Sequence, residues 1–174
     1  MAGLPILAPE DYVCDGCRLA YGDVVVSDIP PRLRAVTAEV LAHVEGLSAA
    51  ELTYRPAADV WSALEYLCHI RDVYVASTIR LYRARRETNP QIEPVFNDLR
   101  VVRFRYNQAD APGVLHEIDL TLEGLIDEMD RTTDWDRVFT RQPGEERTAR
   151  WLVRQALHEV MHHAGDMRTS AGSA

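Results

Sequence analysis

The sequence predicts an all-α protein: a four-helix bundle running up, down, down, up, with a long crossover between helices two and three. Three observations carry this expectation. Apolar residues recur at helical spacing in four segments, capping and breaking residues bound those segments, and the links between them are unequal in length. A chain of 174 residues is long enough for one domain with a substantial core and short for two.

The stretch SDIPPRLRAVTAEVLAHVEGL opens with Ser27 and Asp28 as cap candidates and Pro30 and Pro31 in its first turn. It spaces Leu33, Val36, Val40 and Val44 as a helix does and stops at Gly46. Helix one is therefore expected over about 30–45. A turn-rich stretch, LSAAELTYRPAADV, leads to WSALEYLCHIRDVYVASTIRLYRARR, where Ser62 and Glu65 have the spacing of a capping box. Helix two is expected over about 62–86.

Asn89, Pro90 and Pro94 break the pattern, and a short helical segment near 97–107 follows. Asp110, Ala111 and Pro112 then mark the start of helix three, whose Leu115, Ile118, Leu122, Leu125 and Met129 form a bundle seam at alternating intervals of three and four. A loop is expected from Asp134 to Glu146, after which Thr148 caps helix four through about Arg168. The expected organisation is an irregular N-terminal segment over 1–26, the bundle over 27–168 and a disordered tail over 169–174. The strongest β-alternation is the weak YGDVVV near residue 25.

Link lengths give the topology. Roughly 16 residues join helices one and two, and also three and four, whereas about 24 residues with a helix of their own separate helices two and three. That longer link can cross the bundle and leave helices two and three parallel, which makes helices two and four antiparallel.

Charge and composition exclude several chemistries. Nineteen basic residues, all arginine, stand against 27 acidic ones, for a net charge of −8. Without lysine there is no Schiff-base or P-loop lysine, and an acidic chain lacks the electrostatic footprint of a nucleic-acid binder. No apolar run approaches the ~18 residues that span a bilayer, so no membrane partner is expected. The start MAGLPILAPED has no basic region and reaches Glu10 and Asp11 early, unlike a signal peptide, so a cytoplasmic location is expected. Three cysteines, Cys14, Cys17 and Cys68, are then expected to be thiols.

Four of the six histidines fall in two places, His69 on helix two and His158, His162 and His163 on helix four. His43 and His116 lie in amphipathic helices without polar company and read as solvated. In LHEVMHHAGDM, His158 with His162 and Glu159 with His163 are both i,i+4 pairs able to chelate a metal from one helical face. At about 100° per residue, Glu159 and His163 lie roughly 55° to 95° from the centre of the apolar face, while His158 and His162 point almost directly away. The inward pair is Glu159 and His163, and His69 supplies a third ligand if helices two and four are antiparallel. The alternative is that the two histidines simply hydrogen-bond Glu159. Asp72, three residues beyond His69, is a candidate to orient the His69 ring from outside the ligand set, with a surface ion pair as the alternative. Glu65 reads as a cap and Cys68 as a buried small apolar residue.

Cys14 and Cys17 form a C-x-x-C with no second copy. A structural role, a second metal site completed by ligands from elsewhere, and redox chemistry all remain open.

WSALEYLCHIRDV at 61–73, with HEVMHHAGDM at 158–167, resembles the DinB-like superfamily of metal-binding four-helix bundles. That superfamily includes mycothiol-dependent maleylpyruvate isomerases and related thiol S-transferases, and the resemblance covers about residues 27–168. It implies a helix-two ligand at His69 and a ligand at His163, before Ala164 and Gly165, with Glu159 as the partner four residues earlier. Glutamate there is similar to the isomerase branch. The N-terminal C-x-x-C resembles an actinobacterial subgroup, and an all-arginine basic complement suits such a GC-rich genome.

The resulting expectation is a divalent-metal-dependent enzyme in which His69, Glu159 and His163 hold zinc, with nickel or iron as alternatives, and leave coordination positions open. A small thiol, mycothiol by the resemblance, binds there as thiolate and attacks a small electrophilic substrate, giving transfer or isomerisation. Two alternatives stand beside it: a metal-dependent hydrolase using water at the same site, and a non-catalytic metal-binding scaffold, a homodimer through an exposed bundle face. His158 and His162 enter the chemistry, as ligands or acid-base groups, only if the helical phase is misread. On this reading Glu159→Ala and His163→Ala each abolish stoichiometric metal binding, while His158→Ala and His162→Ala leave it nearly intact by elemental analysis.

Overall fold

The computed structural model describes residues 6–171. In chain order the elements are α1 (Ile29–Glu45), α2 (Ala49–Thr53), α3 (Ala63–Arg86), α4 (Asn97–Arg103), α5 (Ala111–Asp130), β1 (Val138–Thr140), β2 (Glu146–Thr148) and α6 (Ala149–Ala171). Helices α1, α3, α5 and α6 are the four expected bundle helices. Their starts follow the local chemistry read from the sequence. Ser62 and Glu65 close a reciprocal capping box on α3, the Asp110 carboxylate accepts from the Gly113 N–H at 3.0 Å, and the Thr148 hydroxyl accepts from the Trp151 N–H at 3.0 Å.

Cross-helix pairs establish the directions. Arg71 meets Glu117 at 2.9 Å and Arg85 meets Glu128 at 2.7 Å; partner numbers rise together, so α3 and α5 are parallel. Arg32 reaches Met161 and Arg168 approaches Glu39, so α1 and α6 are parallel as well. His69 contacts Glu159 while Tyr66, a turn earlier, stacks near His163, so α3 and α6 are antiparallel. The order is up, down, down, up, as the link lengths imply.

Three stretches of secondary structure differ from the expectation. The turn-rich stretch after α1 contains α2, started by a capping box of Ser48 and Glu51. The expected loop from Asp134 to Glu146 contains a hairpin pairing Val138 with Thr148 and Thr140 with Glu146, and it drives Phe139 fully into the core. Helix α6 continues to Ala171, so residues 169–171 extend the helix, and 172–174 lie outside the described residues.

The N-terminal segment is irregular, apart from single 3-10 turns at Tyr21–Asp23 and Val26–Asp28, yet it is firmly docked. Arg154 on α6 donates twice to the Val24 carbonyl, Trp151 donates through its indole to the Pro9 carbonyl, and Glu10 accepts from the Thr148 N–H. Leu19, Tyr21 and Val24 are buried in the common core. His43 is a small correction: its Nε2 is buried without a partner, whereas His116 is exposed as expected.

Two polar interactions lock the bundle. Across the core, the hydroxyls of Thr37 on α1 and Tyr74 on α3 meet at 2.5 Å. At the crossover, Asp72 accepts from Arg71, from Arg100 on α4 at 2.6 Å, and from the Tyr106 hydroxyl. Asp72 is thus the anchor of the crossover: its hydrogen bonds run to this cluster and not to the His69 ring. Burial pushes its carboxyl upward, but the hydrogen bonds from Arg100 and Tyr106 and the charge of Arg71 outweigh that and hold it below the usual carboxylate range.

Tyr74→Phe, which strands the buried Thr37 hydroxyl, is expected to cost about 1–3 kcal/mol in denaturant unfolding. Asp72→Asn is expected to cost about 2–3 kcal/mol, less than a fully buried pair because its arginine partners are partly exposed. Because the folded pKa of Asp72 is depressed, its contribution is complete above about pH 4 and disappears as the pH falls through the folded value. Acid unfolding of Asp72→Asn is therefore expected to be shallower than that of the wild type.

Candidate metal centre

His69 projects from the second turn of α3, and Glu159 and His163 project one turn apart from α6. Antiparallel packing brings the three to one level, with His69 buried and the other two largely covered. His69 Nε2 lies 3.2 Å and His163 Nε2 3.4 Å from the same oxygen, Glu159 Oε2, and all three donor atoms fall within 4.8 Å of one another. The second carboxylate oxygen, Oε1, is approached by the Gln155 side-chain amide at 3.3 Å.

The ring of His163 is fixed from behind. Its Nδ1 lies 2.9 Å from Asp166 Oδ2, which turns Nε2 towards Glu159 and His69. This carboxylate-histidine arrangement is what orients a metal-ligating imidazole. Aromatic faces confine both rings, Trp61 beside His69 at 5.3 Å and Tyr66 beside His163 at 5.0 Å between centroids.

Electrostatics at the site are those of a covered anion. Burial pushes Glu159 upward, but hydrogen bonds and charge from His163 and His69 overcome it and hold the carboxyl far below its ordinary range. Burial pushes His163 down, but Asp166 and Glu159 overcome it, and its pKa is raised to about 9. The donor set thus demands a positive charge at its centre, which a proton or a divalent cation satisfies, and two imidazoles with one carboxylate suit zinc and its neighbours.

His69 and Glu159 border a cavity of about 380 Å³, within the size range of small-molecule sites. His69, Val73, Ala76, Ser77 and Arg80 form one stripe of α3 along it, a run of about 16 Å at the helical rise. Phe96 and Leu99 of the crossover and Gln155 of α6 line other walls. Arg80 faces this cavity and donates to the Glu93 carbonyl, so its charge is not spent on a carboxylate in that bond.

The remaining sequence candidates form a second cluster. His158 and His162 point away from the bundle core as the helical wheel implies, but they are not simply solvated. The N-terminal segment covers them and sets Cys14 and Cys17 beside them, with the four donor atoms within 4.8 Å of one another. Cys68 is fully buried, and burial pushes its thiol up to about 11. Asp166 and Gln155 were not singled out from the sequence. Asp166 had a readable signal in its i+3 spacing from His163; Gln155 had the i,i+4 spacing to Glu159.

Comparison with known proteins agrees with this fold. No curated protein sequence matches the chain. Among solved structures, YfiT from Bacillus subtilis, described as a probable metal-dependent hydrolase with an unusual four-helix bundle topology, superposes with a TM-score of 0.79 at 16% identity over 96% of this chain and 93% of its own. A mycothiol-dependent maleylpyruvate isomerase superposes with a TM-score of 0.67 at 15% identity over 84% of this chain, which spans 62% of that enzyme's length. At these identities the likeness is one of fold. The sequence itself matches the DinB superfamily over residues 32–167, a span that includes all three residues of the His69, Glu159 and His163 cluster, and the chain belongs to that superfamily.

Proposed function

We propose that the chain is a divalent-metal-dependent enzyme that activates a small thiol, of the mycothiol type, for addition to a small electrophilic substrate. The observation that carries this reading is the convergence of His69, Glu159 and His163 on one point at the wall of a ligand-sized cavity. A divalent ion held there supplies Lewis acidity, lowering the pKa of a thiol or water beside it so that a nucleophile exists at neutral pH. Zinc suits the donor set best, with nickel or iron as alternatives.

The chain's own residues do the rest. His69 and Glu159 approach the ion site from opposing helices, and Asp166 holds the His163 ring so that Nε2 points inward. Glu159 offsets one of the two charges of the ion, leaving a net charge of about +1 that favours an anionic ligand. Trp61 and Tyr66 cover the two rings and limit access by water. Along the stripe from His69, Arg80 offers a guanidinium suited to a substrate carboxylate. A cytoplasmic setting, where thiols persist, matches three free cysteines.

Hydrolysis at the same site is the second reading. It is suggested by the likeness in fold to YfiT, described as a probable metal-dependent hydrolase. Turnover of an electrophilic carboxylate by zinc-loaded protein only when a small thiol is added supports thiol transfer, whereas thiol-independent turnover of an ester or amide supports hydrolysis.

Three outcomes are expected. His69→Ala and Glu159→Ala each lose the metal of this site by elemental analysis and the activity with it. Asp166→Asn retains the ligands but loses roughly 10–100-fold in metal affinity or activity. Arg80→Ala raises KM for carboxylate-bearing substrates roughly tenfold, about the worth of one charge-assisted hydrogen bond, with little change in kcat.

A further inference from the structure

We propose that the chain carries a second metal site, a four-coordinate zinc centre formed by Cys14, Cys17, His158 and His162, which fastens the N-terminal segment to the outer face of α6. It is separate from the His69 site in every ligand.

The two cysteines sit on a tight turn built to present both sulfurs. The Cys14 N–H donates to the Leu19 carbonyl at 3.0 Å, the Arg18 N–H donates to the Cys14 carbonyl at 2.9 Å, and Val13 bridges to Ala20 in antiparallel fashion. Arg18 takes a positive φ of 62° to close this turn. Gly16 lies against the imidazole of His162: a Cβ there would stand 2.9 Å from Cε1 and 3.1 Å from Nδ1. Any side chain at Gly16 would therefore displace either the turn or the ring.

Both histidines present one nitrogen to the cysteines and occupy the other. His162 Nδ1 lies 3.4 Å from Cys14 Sγ, against about 3.6 Å between sulfur and nitrogen ligands of a tetrahedral zinc. Its Nε2 faces Asp166 Oδ2 at 3.7 Å. For His158, Nδ1 meets the Tyr21 hydroxyl at 3.0 Å, and Nε2 is buried with no hydrogen-bond partner. An orphaned buried ring nitrogen beside two sulfurs is costly, and coordination satisfies it. Tyr21 and Asp166 then orient the rings as outer partners of metal-bound histidines do.

Two thiolates and two neutral imidazoles cancel the charge of Zn²⁺, with the thiol protons released to solvent on binding. Such a set is closed, with no position for substrate, so its role is structural. His158 and His162 are then not dispensable for total metal content, which revises the sequence-based expectation.

The test uses the full chain, loaded with zinc for elemental analysis or with cobalt for spectroscopy. Expected are two equivalents of zinc in the wild type, one in His69→Ala, and one in Cys14→Ser and in His162→Ala. Cobalt-loaded wild type and His69→Ala should both show the near-ultraviolet absorption of cobalt bound to thiolate, and Cys14→Ser should lose it. The wild-type and His69→Ala spectra decide the matter even if Cys14→Ser does not fold. Absence of that absorption from both proteins overturns the proposal, as does recovery of Cys14 and Cys17 as a disulfide that takes up no metal. Metal in His69→Ala equal to that in the wild type, with the thiolate absorption present, upholds this site and removes the other.

Discussion

A single covered carboxylate, Glu159, sets the terms for much of this molecule. Taking it out of water is unfavourable unless positive charge or hydrogen-bond donors meet it from several sides. One donor, His163, comes from the next turn of the same helix, and Gln155 comes from the turn before. The third, His69, has to arrive from a helix running the other way at matching height. The antiparallel packing of α3 against α6 is therefore a chemical requirement as well as a topological one, and the long crossover that makes α3 and α5 parallel accommodates it.

Helix α6 serves two neighbours because its polar residues come in two i,i+4 pairs displaced by one position. A displacement of one residue is a rotation of about 100°, enough to send Glu159 and His163 towards α3 and His158 and His162 towards the N-terminal segment. Asp166 stands between these faces, near His163 Nδ1 and His162 Nε2 alike. Its carboxylate hydrogen-bonds the one ring and faces the other at 3.7 Å, so the two clusters are close neighbours although they share no donor atom.

The bundle was legible in the sequence because its determinants are local. Caps at Ser62, Asp110 and Thr148, breakers at Pro90 and Pro94, and the seam from Leu115 to Met129 each act within a few residues. The meeting of His69, Glu159 and His163 was legible because periodicity and link length together fix direction and height. What escaped depends on contacts distant in sequence. Asp72 finds Arg100 and Tyr106 only after the crossover has folded back, and the hairpin strands are too short to show alternation. His158 and His162 lie outside the core stripe, and no wheel drawn for α6 reports that residues 6–28 cover them. The capping box of α2, Ser48 with Glu51, is local as well, but the turn residues around it mask so short a helix.

The crossover provides walls of the cavity through Phe96 and Leu99 but contributes none of the His69, Glu159 and His163 cluster. Reactivity and selectivity are thereby divided between separate parts of the chain. Insertions or substitutions between α3 and α5 can reshape what enters the cavity, provided that the Asp72 anchor is kept, while the helices that hold the reactive centre stay unchanged. A scaffold divided in this way lets a lineage acquire new substrates by drift in one surface segment, without passing through intermediates that have lost their chemistry.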